Sequence, residues 1–503
     1  MELFRHQKEG VEFLKSKGKA ILADEMGLGK SVQAIMAAHE TAKGVLVVCQ
    51  ASTKINWKRE ILKALPGETV SIMDTKSEDD PCTRWHVINY DILEKKMAFL
   101  EGMIEEGKID TMILDESQSI KGKSLRAACI VGGTFTPKGK AKMKIPGIAS
   151  KVGRVYCLTG TPIMNRPIEL FNQLRAIGHP LASNRSAFAK RYCGAFTMVQ
   201  VLNLATGRKF MTDQTKAYSY YGDRTKFRHC MRFLNEQGAT NLTELRDKIK
   251  ESVLRRKKKE VMDLPEKIVS TVECEMTDEW RKAYESAWDA YIDGVKKHVE
   301  DDEKIENIIS ARQLVEIQKL KQVASLSKVE KIVEDVHRAA ESEAKVIIFS
   351  QYTETIRTIC ARLANEGIRN VSLTGSDDME ARQVAIDGFQ SDPKIQAFVA
   401  NIKAGGVGIT LTAASIVMFA DMEWSPEIHH QAEDRAHRIG QEGTVNVYYY
   451  VAEDTIDRHI IEVLEEKKSE IEEVIDGTKK RSKSASVQAE VARRMAERHV
   501  DRA

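Results

Sequence analysis

The sequence predicts an α/β protein with two parallel-sheet lobes and a helical protrusion between them. Three observations carry that expectation. Short β-branched and apolar runs alternate with longer helix-like stretches, the pattern of parallel sheets covered by helices. These runs fall into two groups. Between the groups, from about residue 270 to 340, the chain has no Pro and a single Gly, Gly294, and is rich in Glu, Lys, Ala, Ile and Leu. Such a stretch predicts long amphipathic helices.

The first group comprises Ala20 to Ala23, Val45 to Cys49, Val87 to Ile88, Thr111 to Leu114 and Val155 to Thr159. The second comprises Val346 to Ser350, Phe398 to Asn401, Ile416 to Ala420 and Val445 to Val451. Residues 132–147 mix Gly, Pro, Thr and Lys and predict a loop insertion. Residues 198–238, rich in Tyr, Lys and Arg, show no period to read; Tyr218, Tyr220 and Tyr221 make them either a substrate-reading insertion or a packed extension of the first lobe. Past Asp476, the run Gly477-Thr478-Lys479-Lys480-Arg481-Ser482-Lys483-Ser484 predicts a solvated basic tail.

Composition bounds the classes of function. With 503 residues, the chain has room for about three domains or two large ones. Its 77 Lys and Arg against 74 Asp and Glu leave a net charge of +3, which excludes a uniformly basic coat protein. At 42% hydrophobic residues, global disorder is excluded as well. The longest apolar runs are strand-length, far short of the roughly 20 residues of a membrane span, so no membrane partner is expected. Eight scattered cysteines form no CxxC pair, which argues against a zinc knuckle and predicts a reduced, intracellular setting. That setting would be the cytoplasm for a bacterial or viral source and the nucleus for a eukaryotic one. The opening residues Met1 to Gln7 lack the apolar segment of an export signal.

Three segments carry chemistry. Asp24-Glu25-Met26-Gly27-Leu28-Gly29-Lys30-Ser31 follows an apolar strand and precedes a helix. Gly27 and Gly29 would let backbone N–H groups close around phosphates, Lys30 would reach the β- and γ-phosphates, and the Ser31 hydroxyl would hold Mg²⁺. Asp24 stands where the strict pattern has Gly, and a glycine-rich turn without ligand is the alternative. In Thr111 to Gln118 a buried strand ends in Asp115-Glu116. Asp115 suits the Mg²⁺ that bridges phosphates and Glu116 the orientation of attacking water, although adjacent carboxylates also cap helices. Gln431 to Gln441 places Arg435 and Arg438 three apart, which is one face if the segment is helical, suited to γ-phosphate charge or else to an ordinary solvated face.

With these segments in hand, the sequence resembles the Swi/Snf-type ATPases, the double-stranded-DNA-translocating branch of helicase superfamily two. The resemblance runs from about Leu3 to Ile460. It also rests on Gln7-Lys8-Glu9-Gly10-Val11, Val45 to Trp57, Leu158-Thr159-Gly160-Thr161-Pro162, Arg255-Arg256 through Leu264-Pro265, Ile347 to Tyr352 and Ala404-Gly405-Gly406-Val407-Gly408. It implies two RecA-like lobes: residues 1–265 with an insertion at about 180–250, a protrusion or linker over 266–330, a second lobe over 331–475, and the tail 476–503.

Carried over residue by residue, the resemblance implies that Gln7 contacts adenine, that Gly27, Gly29, Lys30, Ser31 and Gly408 bind the nucleotide, and that Ser31 and Asp115 hold Mg²⁺. Glu116 would activate water and Arg435 and Arg438 would complete catalysis. Gln118, Thr159 and Thr161 would couple hydrolysis to movement. Thr53, Lys54, Lys403 and Trp424 would touch DNA, and Lys58 is a further candidate. For Trp424 the alternative is interface core, and for the lysines ordinary solvation. Three positions depart from the family pattern: Gln118 replaces the usual His, Gln50 a Pro, and Ser425 an Asn. Arg191-Tyr192-Cys193-Gly194-Ala195 and the Gln-Ala-Glu-Asp-Arg core look most similar to the HepA-related annealing-helicase subgroup, here as a nearly bare motor without reader domains. The basic run Arg255 to Lys259 reads as a structural, DNA-proximal stretch in preference to a nuclear address.

The expected activity is an ATP-dependent translocase on duplex DNA, forked or branched forms included, that remodels or anneals DNA or strips proteins from it. A replication, repair or transcription protein is an expected partner. The alternatives are a strand-separating DNA or RNA helicase and an ATP-gated clamp on DNA or a polymerase. A near-neutral motor should concentrate its positive charge in a track and offset it elsewhere, as Glu300-Asp301-Asp302-Glu303 and Glu465-Glu466 would.

Overall fold

Val45–Cys49 is buried at every residue, as a strand covered on both faces must be. The same holds for Thr111–Leu114, and the sheets built around such strands define the architecture. The structure, a computed structural model, describes residues 2–75, 80–137, 141–160, 162, 166–204, 209–213, 227–236, 238–299, 311–405, 409–476, 487, 490, 491, 494 and 495. The strands in chain order are β1 (Lys19–Leu22), β2 (Val45–Cys49), β3 (Val70–Ile72), β4 (Trp85–Asn89), β5 (Thr111–Leu114), β6 (Gly133–Phe135), β7 (Met143–Ile145), β8 (Arg154–Leu158), β9 (Phe196–Asn203), β10 (Lys209–Asp213), β11 (Phe227–Asn235), β12 (Val253–Leu254), β13 (Lys267–Cys274), β14 (Val346–Ser350), β15 (Asn370–Leu373), β16 (Ala397–Asn401), β17 (Ile416–Phe419) and β18 (Val445–Ala452). Two compact units result, the first from Met1–Glu25 and Lys30–Arg256, the second from Met26–Gly29 and Lys257–Ser469. The backbone passes from one to the other between Arg256 and Lys257.

In the first unit the strand order is β12-β1-β8-β5-β2-β4-β3 and every pairing is parallel. Alternate residues feed two separate cores. Leu22, Val45, Val47 and Leu158 pack with Leu14, Ala34 and Trp57 on one face. Ile21, Leu46, Val48 and Leu114 pack with Leu100, Ile130 and Phe171 on the other. Each such side chain contributes about 1.5–3 kcal/mol on burial. Helix Arg5–Lys17 lies close against helix Lys30–Thr41, and Gly10 allows the approach: a Cβ there would sit 1.7 Å from the Gln33 amide oxygen.

All nine strand runs read from the sequence overlap strands of the two sheets, and three overrun their strand by one residue, at Ala23, Thr159 and Ala420. Four others were not foreseen: β3, β12, β13 and β15. Residues 132–147, expected as a loop, contain the β6–β7 hairpin, whose two strands pair antiparallel. The stretch without readable period contains a separate antiparallel sheet of order β10-β9-β11, while Tyr218, Tyr220 and Tyr221 lie outside the described residues.

In the second unit the order is β13-β18-β17-β14-β16-β15, again parallel throughout. Here the sequence expectation needs correction. Residues 267–274, placed with the helical protrusion, form edge strand β13, paired over its whole length with β18. The segment Lys-Ile-Val-Ser-Thr-Val-Glu-Cys is β-branched at four of eight positions, which favours a strand; the Pro-free helical stretch that follows had masked it. The unit boundary accordingly lies after Arg256, ahead of the expected 265. Beyond β13 run helices Asp278–Val299, Ala311–Ser327 and Val329–Glu341. Tyr284, Tyr291, Leu320 and Ala324 from the first two of these helices pack with Val451, Ile456 and Ile460. No helix among the described residues is long and apolar enough to cross a membrane.

Candidate active site

The expected phosphate loop turns on two glycines. Gly27 and Gly29 have φ of 82° and 74°, a region that costs other residues about 1–2 kcal/mol each. Lys30 opens the helix that follows, and its ammonium donates to the carbonyls of Asp24 at 2.7 Å and Glu25 at 3.2 Å. Ser31, the second residue of that helix, is half-buried. Gln7 is buried on the neighbouring helix, where its side-chain oxygen accepts the Phe4 N–H at 3.1 Å. Asp24, the departure from the glycine pattern, is fully buried and takes a two-pronged ion pair from Arg256.

At the end of β5, Asp115 is held from three sides. Its Oδ2 accepts the Trp57 indole N–H at 2.8 Å, its Oδ1 accepts the Glu116 N–H at 3.1 Å, and its carbonyl accepts the Tyr90 hydroxyl at 2.8 Å. Burial and then the adjacent Glu116 charge push its carboxyl up to about 6, against the Trp57 bond and the Lys30 charge, which pull it down. Glu116 adopts φ 44°, ψ 56°, left-handed backbone that non-glycine residues occupy at a cost of about 1–3 kcal/mol. This turns its carboxylate back onto Gln118: the Gln118 amide donates to Glu116 Oε2 at 2.6 Å and accepts the Thr159 hydroxyl at 2.8 Å. Gln118, which stands where the family pattern has His, thus bonds to both Glu116 and Thr159. A second link runs beside it, from the Ser117 hydroxyl to Gln173 and from the Gln173 amide to the Pro162 carbonyl, both at 2.9 Å. Thr161 lies outside the described residues.

Arg435 and Arg438 meet at one acceptor. Arg435 Nη1 donates to the Ile409 carbonyl at 3.1 Å and Arg438 Nη1 to the same oxygen at 3.2 Å. The condition of a helix through both arginines is not met, because helix Pro426–Glu433 ends before them. Its next carbonyls are taken from outside: Arg435 O accepts the Leu411 N–H, and Ala436 O accepts the Gln441 side-chain amide. Gly408 lies outside the described residues.

The expected DNA contacts divide. Lys54 is buried, its ammonium on the Met73 carbonyl at 3.1 Å, and Thr53 is buried with its hydroxyl on the Gln50 carbonyl. Neither side chain lies at the surface: the Thr53 hydroxyl serves the turn before helix Lys54–Ala64, and the Lys54 ammonium is held by the carbonyl that follows β3. Trp424 is half-buried against the Tyr284 to Val463 core, with the Lys321 ammonium 4.0 Å from its ring centre, the core reading of that residue. Lys403 remains exposed and pairs with Glu423. In the basic run, exposure alternates: Lys257 and Lys259 face solvent, while Arg256 and Lys258 are buried. Burial of the even positions contradicts a continuous surface patch. Sequence reasoning missed Trp57, Tyr90 and Gln173 as supports of the acidic motif; their polar atoms reach it only through the fold.

Comparison with known proteins supplies the lineage. The model of the SNF2-related domain matches residues 6–332, and that of the helicase conserved C-terminal domain residues 326–440. A SWI/SNF-related matrix-associated actin-dependent regulator of chromatin subfamily A-like protein 1 homolog of Caenorhabditis elegans is 34% identical, over 90% of this chain and 59% of that protein. The DNA annealing helicase and endonuclease ZRANB3 of Bos taurus is 27% identical, over 95% of this chain and 41% of its own length. The chain thus spans about half the length of these curated relatives. Among solved structures, the SWI2/SNF2 ATPase core of Sulfolobus solfataricus in complex with double-stranded DNA matches 95% of this chain and 93% of its own at 22% identity, with a TM-score of 0.39.

Proposed function

Because the chain belongs to the SNF2-related family, we propose that it is an ATP-dependent translocase on double-stranded DNA. The observation that carries this reading is the hydrogen-bonded chain Glu116–Gln118–Thr159 beside the buried Asp115. It joins a residue suited to activate water to the strand end after β8, so a change at the nucleotide is felt in the backbone that must move.

In this reading Gln7 selects adenine and the loop N–H groups and Lys30 bind phosphates. Glu116 holds the attacking water and accepts its proton, a role typically worth about 10²–10⁴ in rate. Arg435 and Arg438 stabilise the charge that builds on the transferred phosphoryl group. Asp115 and Ser31 fit a divalent cation: a carboxyl raised to about 6 by burial beside a second carboxylate is a group that gains from one. Mg²⁺ held there would neutralise phosphate charge. Grip on DNA goes through backbone phosphates, which makes it tolerant of sequence. Relatives that bear the name of annealing helicases make strand annealing or protein displacement the proposed use.

The test is steady-state ATPase activity with no nucleic acid, duplex, forked DNA, single strands and RNA, followed by triplex- and strand-displacement assays. Duplex stimulation with triplex displacement and no duplex unwinding is expected. Best stimulation by RNA or single strands would overturn the reading in favour of a helicase, and hydrolysis without any displacement would favour the clamp.

A further inference from the structure

The run Arg255 to Lys259 carries more than charge. Arg256 ends the Lys30–Arg256 stretch of the first unit, and Lys257 begins the Lys257–Ser469 stretch of the second. The two buried cations on either side of that step each reach a different part of the nucleotide machinery, within their own units.

Arg256 spreads its guanidinium over three elements. Nε donates to Asp24 Oδ1 at 3.0 Å and Nη2 to Asp24 Oδ2 at 2.5 Å, at the base of the phosphate loop. Nη2 also meets the Gln33 side-chain oxygen at 3.0 Å on the helix that Lys30 opens, and Nη1 donates to the carbonyl of His6, the neighbour of Gln7. Its own carbonyl accepts the Glu25 N–H at 2.9 Å. Only a planar fork with several donors can satisfy this set; a lysine offers a single point charge.

Lys258 does the corresponding thing in the second unit. Its ammonium lies 2.7 Å from Asp434 Oδ1 and donates to the His437 carbonyl at 2.8 Å. Asp434 immediately precedes Arg435 and His437 immediately precedes Arg438. One cation thus ties down the residue before each arginine. The pair is off the hydrogen-bonding direction although close, so charge attraction dominates, and Asp434 is almost wholly buried. His430 Nδ1 lies 3.4 Å from the other Asp434 oxygen, and Lys267 pairs with the adjacent Glu433 at 2.6 Å. Burial alone would raise the Asp434 carboxyl; the charges of Lys258, His430 and Lys267 outweigh it and hold it ionised, well below the usual range.

We propose that Arg256 and Lys258 are positioning residues for ATP turnover, Arg256 fixing the phosphate loop and the adenine-side turn through Asp24 and His6, and Lys258 fixing the arginine pair through Asp434 and His437. This rests on the ATPase reading above and adds residues to it. The two roles separate kinetically: loosening the loop weakens ground-state binding, whereas misplacing the arginines removes stabilisation present only in the transition state.

The experiment uses the full chain and a fluorescent ATP analogue for affinity, beside DNA-stimulated ATPase rates and melting temperature. Arg256→Lys should weaken analogue binding about tenfold or more, and Lys258→Met should lower kcat about tenfold with binding nearly unchanged. Because Lys258→Met strands a buried charge, the double variant Lys258→Met/Asp434→Asn is measured too. It should regain melting temperature without regaining kcat. If kcat and melting temperature recover together, Lys258 is merely structural and its assignment falls. If Arg256→Lys binds the analogue like the parent, the Arg256 assignment falls. A parent chain that binds the analogue but hydrolyses nothing under any nucleic acid sinks the ATPase reading and the Lys258 role with it, while the affinity comparison still decides Arg256.

Discussion

The Thr159 hydroxyl donates to Gln118 at 2.8 Å, and the same Gln118 amide donates to Glu116 at 2.6 Å, so an uncharged side chain passes between a carboxylate and the end of β8. An amide can hold both bonds at once because it carries donor and acceptor together. It has no proton to gain or lose near neutral pH, so the link persists across the working range.

Gln118→Ala should therefore lower DNA-stimulated kcat by about tenfold, the scale of about 1.4 kcal/mol expected for one lost polar link, while analogue affinity stays near the parent value. Gln118→His should keep the link but introduce a pH dependence centred near the ordinary His range, about 6.5. A flat pH–rate profile in that variant would show that the position does not report on the base.

Glu116→Gln removes the proposed proton acceptor without changing its size. Turnover should fall by about 10²–10⁴, with ATP retained on the protein in a filter-binding or gel-filtration assay. Normal turnover would exclude Glu116 from that role.

The acidic pair also predicts a pH effect on stability. The folded pKa of Asp115, about 6, lies above its ordinary value of 3.8. A raised carboxyl favours the protonated form, so its contribution to stability is full below about pH 4 and is lost as pH rises through 6. Measured without nucleotide or divalent cation, Asp115→Asn should be more stable than the parent at pH 7.5, by on the order of 1–3 kcal/mol. The difference should close toward pH 4. A destabilised Asp115→Asn at pH 7.5 would contradict the burial argument.

Two lysines that look alike in the sequence should behave differently. Lys403 is exposed, and Lys403→Ala should reduce the slope of log affinity for duplex against log salt by about 1 if it meets a phosphate. Lys54→Met should leave that slope unchanged and lower the melting temperature, because it strands the Met73 carbonyl. Equal effects on the slope would mean that burial misassigns Lys54.

What was legible in the sequence follows a physical division. Strands buried on both faces, such as Val45–Cys49, announce themselves as continuous apolar runs, and glycines at positive φ stand out in the phosphate loop. Edge strands do not. The burial of β13 follows no clean alternation, with Ile268 and Val269 exposed, so its β-branched residues were the one strand signal and the helical stretch that follows masked it. The residues proposed for hydrolysis stood out because that chemistry is restricted to few residue types. Their supports did not, since Trp57, Tyr90 and Gln173 come from distant parts of the chain and any indole, phenol or amide there would look ordinary. The same holds for charge: the run Arg255 to Lys259 read as structural and DNA-proximal, but nothing in it named Asp24 and Asp434 as the partners of Arg256 and Lys258.

Edge strand β13 has a practical consequence for dissecting the protein. It pairs with β18 across eight register positions, from Lys267 against Val445 to Cys274 against Ala452. A fragment begun at residue 331 would leave that side of β18, with its run of Tyr448, Tyr449 and Tyr450, as a bare template for another chain. Such a fragment is expected to self-associate in gel filtration, whereas one begun at Lys257 should stay monodisperse. For this fold, the soluble half starts where the backbone leaves Arg256.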